Sequence, residues 1–128
     1  MIDKIAWIYI QNRKILSTRS KGKDTFYLPG GKRETGESDV QTLTREIQEE
    51  LSVDLLPESL EYLGTFEAQA HGRKDKVRMT CYTGDYTGEL IPDSEVEEII
   101  WFNYADRGRS SPVDQLIFDW LKARDLID

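Results

Sequence analysis

Val40, Leu43, Ile47 and Leu51 recur at spacings of three, four and four, a rhythm that places all four on one face of an α-helix. The segment constrains the fold because it stands among runs of strand character, so its apolar stripe has to be buried against a sheet. Ser38 is positioned to cap the helix, and Gln41, three residues on, completes a capping box. Ahead of it, Ile5-Ala6-Trp7-Ile8-Tyr9-Ile10 is a continuous apolar run that suits a strand covered on both faces. Gln11 to Lys14 reads as a turn and Ile15 to Thr18 as the return strand of a hairpin. Phe26-Tyr27-Leu28 is closed by Pro29-Gly30-Gly31, where the backbone can turn sharply and approach a ligand.

Beyond the helix, strands are predicted at about Leu60 to Gln69, Val77 to Tyr86 and Ile99 to Tyr104. A closing helix is predicted from Pro112, with Val113, Leu116, Ile117, Trp120 and Leu121 as its apolar face. The order of elements predicts an α/β (α+β) architecture, a mixed β-sheet sandwiched between α-helices. With 128 residues, the expectation is a single domain over residues 1–128.

Seventeen basic against 24 acidic residues give a net charge of −7, which argues against duplex nucleic acid or a membrane surface as partner. Cys81 is the sole cysteine, so neither an intramolecular disulfide nor a cysteine metal cluster can form. The first ten residues carry Asp3 and Lys4, lack a small-residue cleavage site and are too short to cross a bilayer. A cytoplasmic protein is expected.

The central helix carries Arg45, Glu46, Glu49 and Glu50. Glu46 meets Glu49 at i+3 and Glu50 at i+4, and each like-charge pair costs about 0.2–0.5 kcal/mol in an isolated helix. A hard divalent cation reverses that cost, and magnesium is commonly held by one or two carboxylates with phosphate and water completing its shell. Arg45 can either pair with Glu49 at i+4 or orient another carboxylate of the cluster. Taken alone, the run also reads as a solvated helix face.

The stretch GKRETGESDVQTLTREIQEELSV, residues 31–53, resembles the box of the Nudix family, G-x5-E-x7-R-E-U-x-E-E-x-G-U, where U is aliphatic. Gly31, Glu37, Arg45, Glu46, Ile47, Glu49, Glu50 and Val53 fill the defined positions, and Ser52 replaces the usual glycine. Serine tolerates a positive φ less well than glycine, so a different helix exit is expected there. The resemblance implies a Nudix hydrolase, a nucleotide pyrophosphatase that uses magnesium, with manganese able to substitute. It implies Glu46 and Glu50 as main metal ligands, Glu49 as a further ligand or water-activating base, and Arg45 as the orienting residue. The Gly30 carbonyl resembles the backbone metal ligand, and Glu37 the glutamate that supports loop and cluster. Some members draw the base from a later loop, which makes Glu95, Glu97 and Glu98 candidates. Glu98, three residues before Trp101, is preferred as a metal ligand.

For substrate contacts, Arg19, Lys23 and Lys32 are basic candidates, with Arg19 resembling the phosphate-binding arginine of MutT-type members. Each also reads as a solvated loop charge. Tyr27 or Leu28 would face a base or the core. Asp114, at the start of the closing helix, falls where MutT-type members place base-reading groups, and it equally suits a first-turn acid. His71 reads as a loop residue or part of a lid. Ala68 and Gln69-Ala70-His71 stand where ADP-ribose and dinucleoside polyphosphate members carry proline and tyrosine, and no NADH-type segment is present. Elimination leaves a MutT-like enzyme acting on a nucleoside triphosphate, with oxidised dGTP as a candidate, in a monomer or homodimer. The alternatives are a hydrolase of a nucleoside diphosphate linked to another moiety, and a non-catalytic nucleotide-sensing module.

Overall fold

The computed structural model describes residues 1–70 and 72–128, so the reading of His71 falls outside the described residues. Strand β1 (Ile2–Trp7) lies inside a four-stranded mixed sheet. It pairs antiparallel with β5 (Gly30–Lys32) and parallel with β8 (Lys76–Thr83), which pairs antiparallel with β7 (Glu61–Gln69). In a second, antiparallel sheet, β3 (Lys14–Ser20) pairs with β10 (Val96–Phe102), β2 (Ile10–Gln11) and β4 (Phe26–Tyr27). A short ladder joins β6 (Asp54–Leu55) to β9 (Tyr86–Thr87).

The predicted single strand over residues 5–10 is interrupted: Ile8 leaves the β1 ladder and donates its amide to the Tyr82 carbonyl at 2.8 Å. This break lets the chain move from the first sheet to the second. The hairpin is between β2 and β3, with Asn12 and Arg13 both at positive φ (53° and 62°), the backbone a two-residue turn requires. Arg13 is held there by Asp125 and Asp128, each at 2.5 Å. The last predicted strand starts earlier than expected, at Val96, through a register shift between Val96 and Glu98.

Helix α1 (Asp39–Leu51) is bounded as the sequence predicts: Ser38 Oγ accepts from the Gln41 amide at 3.1 Å, and Gln41 Oε1 accepts from the Ser38 amide at 2.9 Å. Leu43, Ile47 and Leu51 pack with Ile5, Trp7 and Leu16 into one core. Ala6 of β1 and Ile8 just beyond the strand face the opposite core, formed with Ile117, Phe118 and Leu121 of α2 (Pro112–Ala123). Helices thus cover both faces of the sheet assembly, which is why the first strand has no polar alternation. In α2 the buried face is Val113, Ile117, Phe118 and Leu121, whereas Leu116 is 39% exposed. Apolar residues surround most of this helix, so periodicity alone admits two stripes.

Ser52 caps α1 in the left-handed region, φ 63° and ψ 24°, with its amide donating to the Gln48 carbonyl at 3.1 Å. The exit is therefore the one glycine would adopt, made by a residue with a Cβ. Left-handed backbone costs an L-residue about 1–2 kcal/mol, partly offset by the greater unfolded-state entropy of glycine. Ser52→Gly should raise stability by up to about 1 kcal/mol, read as a higher urea midpoint at unchanged slope. A lower midpoint contradicts stored strain at this cap.

Candidate active site

The site forms where β5 feeds a loop that returns into α1. Arg33 pins that loop: it donates from Nε to Asp3 at 3.0 Å, from Nη1 to the Glu37 carbonyl at 3.1 Å and from Nη2 to Asp39 at 2.5 Å. Tyr82 on β8 donates to the other Asp39 oxygen at 2.6 Å. Sequence reading missed this brace, because Asp3, Arg33, Asp39 and Tyr82 are dispersed and each looks like an ordinary surface group.

Above the brace, Arg45 binds Glu37 with both ends of its fork, Nε to Oε2 at 2.8 Å and Nη2 to Oε1 at 2.9 Å. Its Nη1 donates to Glu46 Oε1 at 2.9 Å and lies 3.6 Å from Glu49, and Nη2 reaches the Lys32 carbonyl at 3.2 Å. Of the two roles open to Arg45, orientation of a carboxylate is thus the stronger contact. The Arg45 guanidinium, helped by the Glu34 amide and the Thr42 hydroxyl, holds the Glu37 carboxyl down at about 2. Glu37 is therefore an anion committed to Arg45, placed to support the cluster.

Glu46 and Glu50 converge at the floor of a cleft of about 320 Å³ that Gly30, Gly31 and Glu49 also line. Gly31 matters because a Cβ built there would overlap the Glu46 carboxylate. Burial, then the charge and hydrogen bond of Glu46, push the Glu50 carboxyl well up, while the Gly30 backbone and Lys4 oppose that shift. Two carboxyl groups in contact must share a proton or a cation. Hard oxygen donors arranged as a pair fit magnesium, which leaves the rest of its shell to phosphate and water. Among the described residues no three acidic side chains are grouped as a metal site; Glu49 lines the same cleft with its side chain 52% exposed.

The remaining candidates divide. Glu98 is ion-paired with Arg19 at 2.9 Å, and Arg19 also donates to the Lys23 carbonyl at 3.1 Å. Thr18 and Ser20 line the cleft, so Arg19 between them on β3 starts on the opposite face. Of the three later glutamates it is Glu95 that lines the cleft. Lys32 lines an adjoining cavity of about 230 Å³, as do Tyr27, Met79 and Ser111. Lys4 borders both cavities and was missed, because a lysine inside a strand run reads as edge decoration.

Asp114 is completely buried on α2; Oδ2 accepts from the Leu28 amide at 3.1 Å, and Oδ1 has no hydrogen-bond partner among the described residues. Ser111 Oγ is buried beside it and, like the Leu28 amide, works to hold the carboxyl down. Burial pushes the Asp114 carboxyl up from 3.8 to about 6, with the Leu28 amide opposing. The folded state therefore holds this proton more firmly than the unfolded chain. The associated stability is complete below about pH 4 and is lost as pH rises through about 6, by roughly 2–3 kcal/mol. Asp114→Asn should remove that loss, so urea unfolding at pH 4 and pH 7 should show the variant gaining on the parent at the higher pH. Parallel profiles contradict a carboxyl so placed.

Capped helix, glycine turn and paired glutamates form a loop–helix–loop that gathers Gly30, Gly31, Glu46 and Glu50 in one cleft. The NUDIX domain family is matched over residues 2–121, and the chain belongs to the Nudix family. A relative described as "Uncharacterized Nudix hydrolase YvcI" from Bacillus subtilis is 27% identical over 95 residues, which are 73% of this chain and 60% of that protein. Among solved structures, the E. coli ORF135 protein aligns with TM-score 0.77 and 26% identity over 96% of this chain and 89% of its own. MutT from Aliivibrio salmonicida and Vibrio cholerae aligns with TM-score 0.75 and 21% identity over 96% and 98%, a likeness of fold. Among the described residues no helix is long and apolar enough to cross a membrane.

Proposed function

We propose that this protein is a magnesium-dependent pyrophosphohydrolase of a nucleoside triphosphate or related nucleotide, of the MutT-like kind. The observation that carries the reading is the contact between Glu46 and Glu50 beneath the Gly30–Gly31 turn, in a cleft that adjoins a second cavity. A bound divalent ion supplies neutralisation of phosphate oxygens and an acidified water. Glu46 and Glu50 hold that ion, and Arg45 fixes Glu46 by taking one of its oxygens. Glu49, exposed on the cleft wall and only loosely paired with Arg45, is the carboxylate placed to accept the water's proton, with Glu95 across the cleft as the second candidate. The organic part of the substrate enters the adjoining cavity lined by Ser111, Pro112 and Val113, with the buried Asp114 one residue further along the helix as the base-reading candidate. Oxidised dGTP is a candidate because its base presents N–H and amino donors.

The test is a panel of nucleoside triphosphates, oxidised nucleotides and nucleoside diphosphate conjugates, incubated with magnesium and resolved for products. A nucleoside monophosphate plus pyrophosphate from a triphosphate is the expected outcome. Cleavage of conjugates alone, or of nothing in the panel, overturns the assignment.

A further inference from the structure

Lys4 and Lys32 stand directly opposite each other on the antiparallel β1–β5 pair, and both line the second cavity. Like charges at directly opposed positions repel and destabilise a ladder. Among the described residues neither ammonium is in an ion pair. Lys4 Nζ lies 5.7 Å from the centre of the Tyr27 ring. Its charge slightly favours the ionised forms of both Glu50 and Asp114. Lys4, Tyr27 and Met79 border both cavities, so Lys4 marks the strip where the two meet.

A substrate with its organic group in the second cavity and its reacting bond at the glutamates must lay its phosphate chain across this strip. We infer that Lys4 is a phosphate-binding residue that clamps the chain together with Lys32, their mutual repulsion relieved by the anion. This rests on the reading of the site as a polyphosphate hydrolase. The anion also gives a role to two opposed lysines that, among the described residues, no ion pair neutralises.

The probe is inorganic tripolyphosphate with magnesium, titrated calorimetrically into the parent protein and into Lys4→Met, Lys4→Gln, Lys4→Arg and Lys32→Met. Each neutral variant should bind about tenfold more weakly at low salt, as expected for loss of one charge-assisted hydrogen bond, and with a shallower dependence on salt. Lys4→Arg should recover binding to within about threefold, because it keeps the charge. With the best nucleotide of the panel, Lys4→Met should raise KM more than it lowers kcat. Thermal midpoints without ligand should stay within about 2 °C, since no ion pair is broken. Unchanged tripolyphosphate affinity and KM in both neutral Lys4 variants overturn the proposal, as does a parent protein that binds no tripolyphosphate. A parent that binds tripolyphosphate but hydrolyses no nucleotide sinks the enzymatic reading alone, and the affinities of the variants still decide the clamp.

Discussion

Glu50→Gln should lower turnover of the panel's best nucleotide by about tenfold to a hundredfold in magnesium while the fold stays intact. The amide keeps the shape of the side chain and removes one of the two charges of the proposed metal site. In the metal-free protein the two carboxyls in contact must share a proton, whereas the amide can donate to Glu46 without taking one up. The variant should therefore unfold at an equal or higher temperature without metal, and magnesium should stabilise it less than the parent. Lost activity with lost stability in metal-free buffer would make Glu50 a packing residue. Parent rates would remove it from the site.

Gly30→Ala should cost about 3 kcal/mol of stability or more, the largest structural effect expected from a single methyl group here. Gly30 sits at φ 143°, which a side chain rarely adopts, and its Cβ would overlap the Ile5 carbonyl oxygen and the Ala6 Cα of the paired strand. Strained backbone contributes about 1–3 kcal/mol and overpacking a similar amount, and neither neighbour is a flexible side-chain tip. Gly36→Ala is the control: φ is +85° but nothing lies within 4 Å of its Cβ, so only the backbone cost of about 1–2 kcal/mol remains. Urea unfolding of the two variants separates the causes. Equal losses contradict the steric role given to the β1–β5 approach, and with it the placement of the glycine turn beside Glu50.

Helix α1 was legible in advance because its signals are local: a cap, a capping box and a stripe of one period. The Arg45–Glu37–Glu46 cluster was legible from spacing and resemblance, since eight and one residues separate partners on one continuous motif. The Asp3–Arg33–Asp39–Tyr82 brace was not, because its members meet only after β1, β5, α1 and β8 have paired. Lys4 was hidden for the same reason: its pairing with Lys32 is a matter of register, and register is set by the fold. Glu98 and Arg19, each chosen singly as a site residue, satisfy one another across the β3–β10 pair. The apolar face of α2 was ambiguous because Leu116 and Phe118 both continue a plausible stripe; only the packing of Phe118 near Phe102 decides between them.

The most direct test of the account is a crystal soaked with manganese and the non-hydrolysable analogue α,β-methylene-dGTP, with the metal placed by its anomalous signal. The account predicts a peak bridged by the Glu46 and Glu50 carboxylates beneath the Gly30–Gly31 turn, with analogue phosphates completing the shell. A peak elsewhere, or a cleft holding analogue while those two carboxyls remain bonded only to each other, contradicts it.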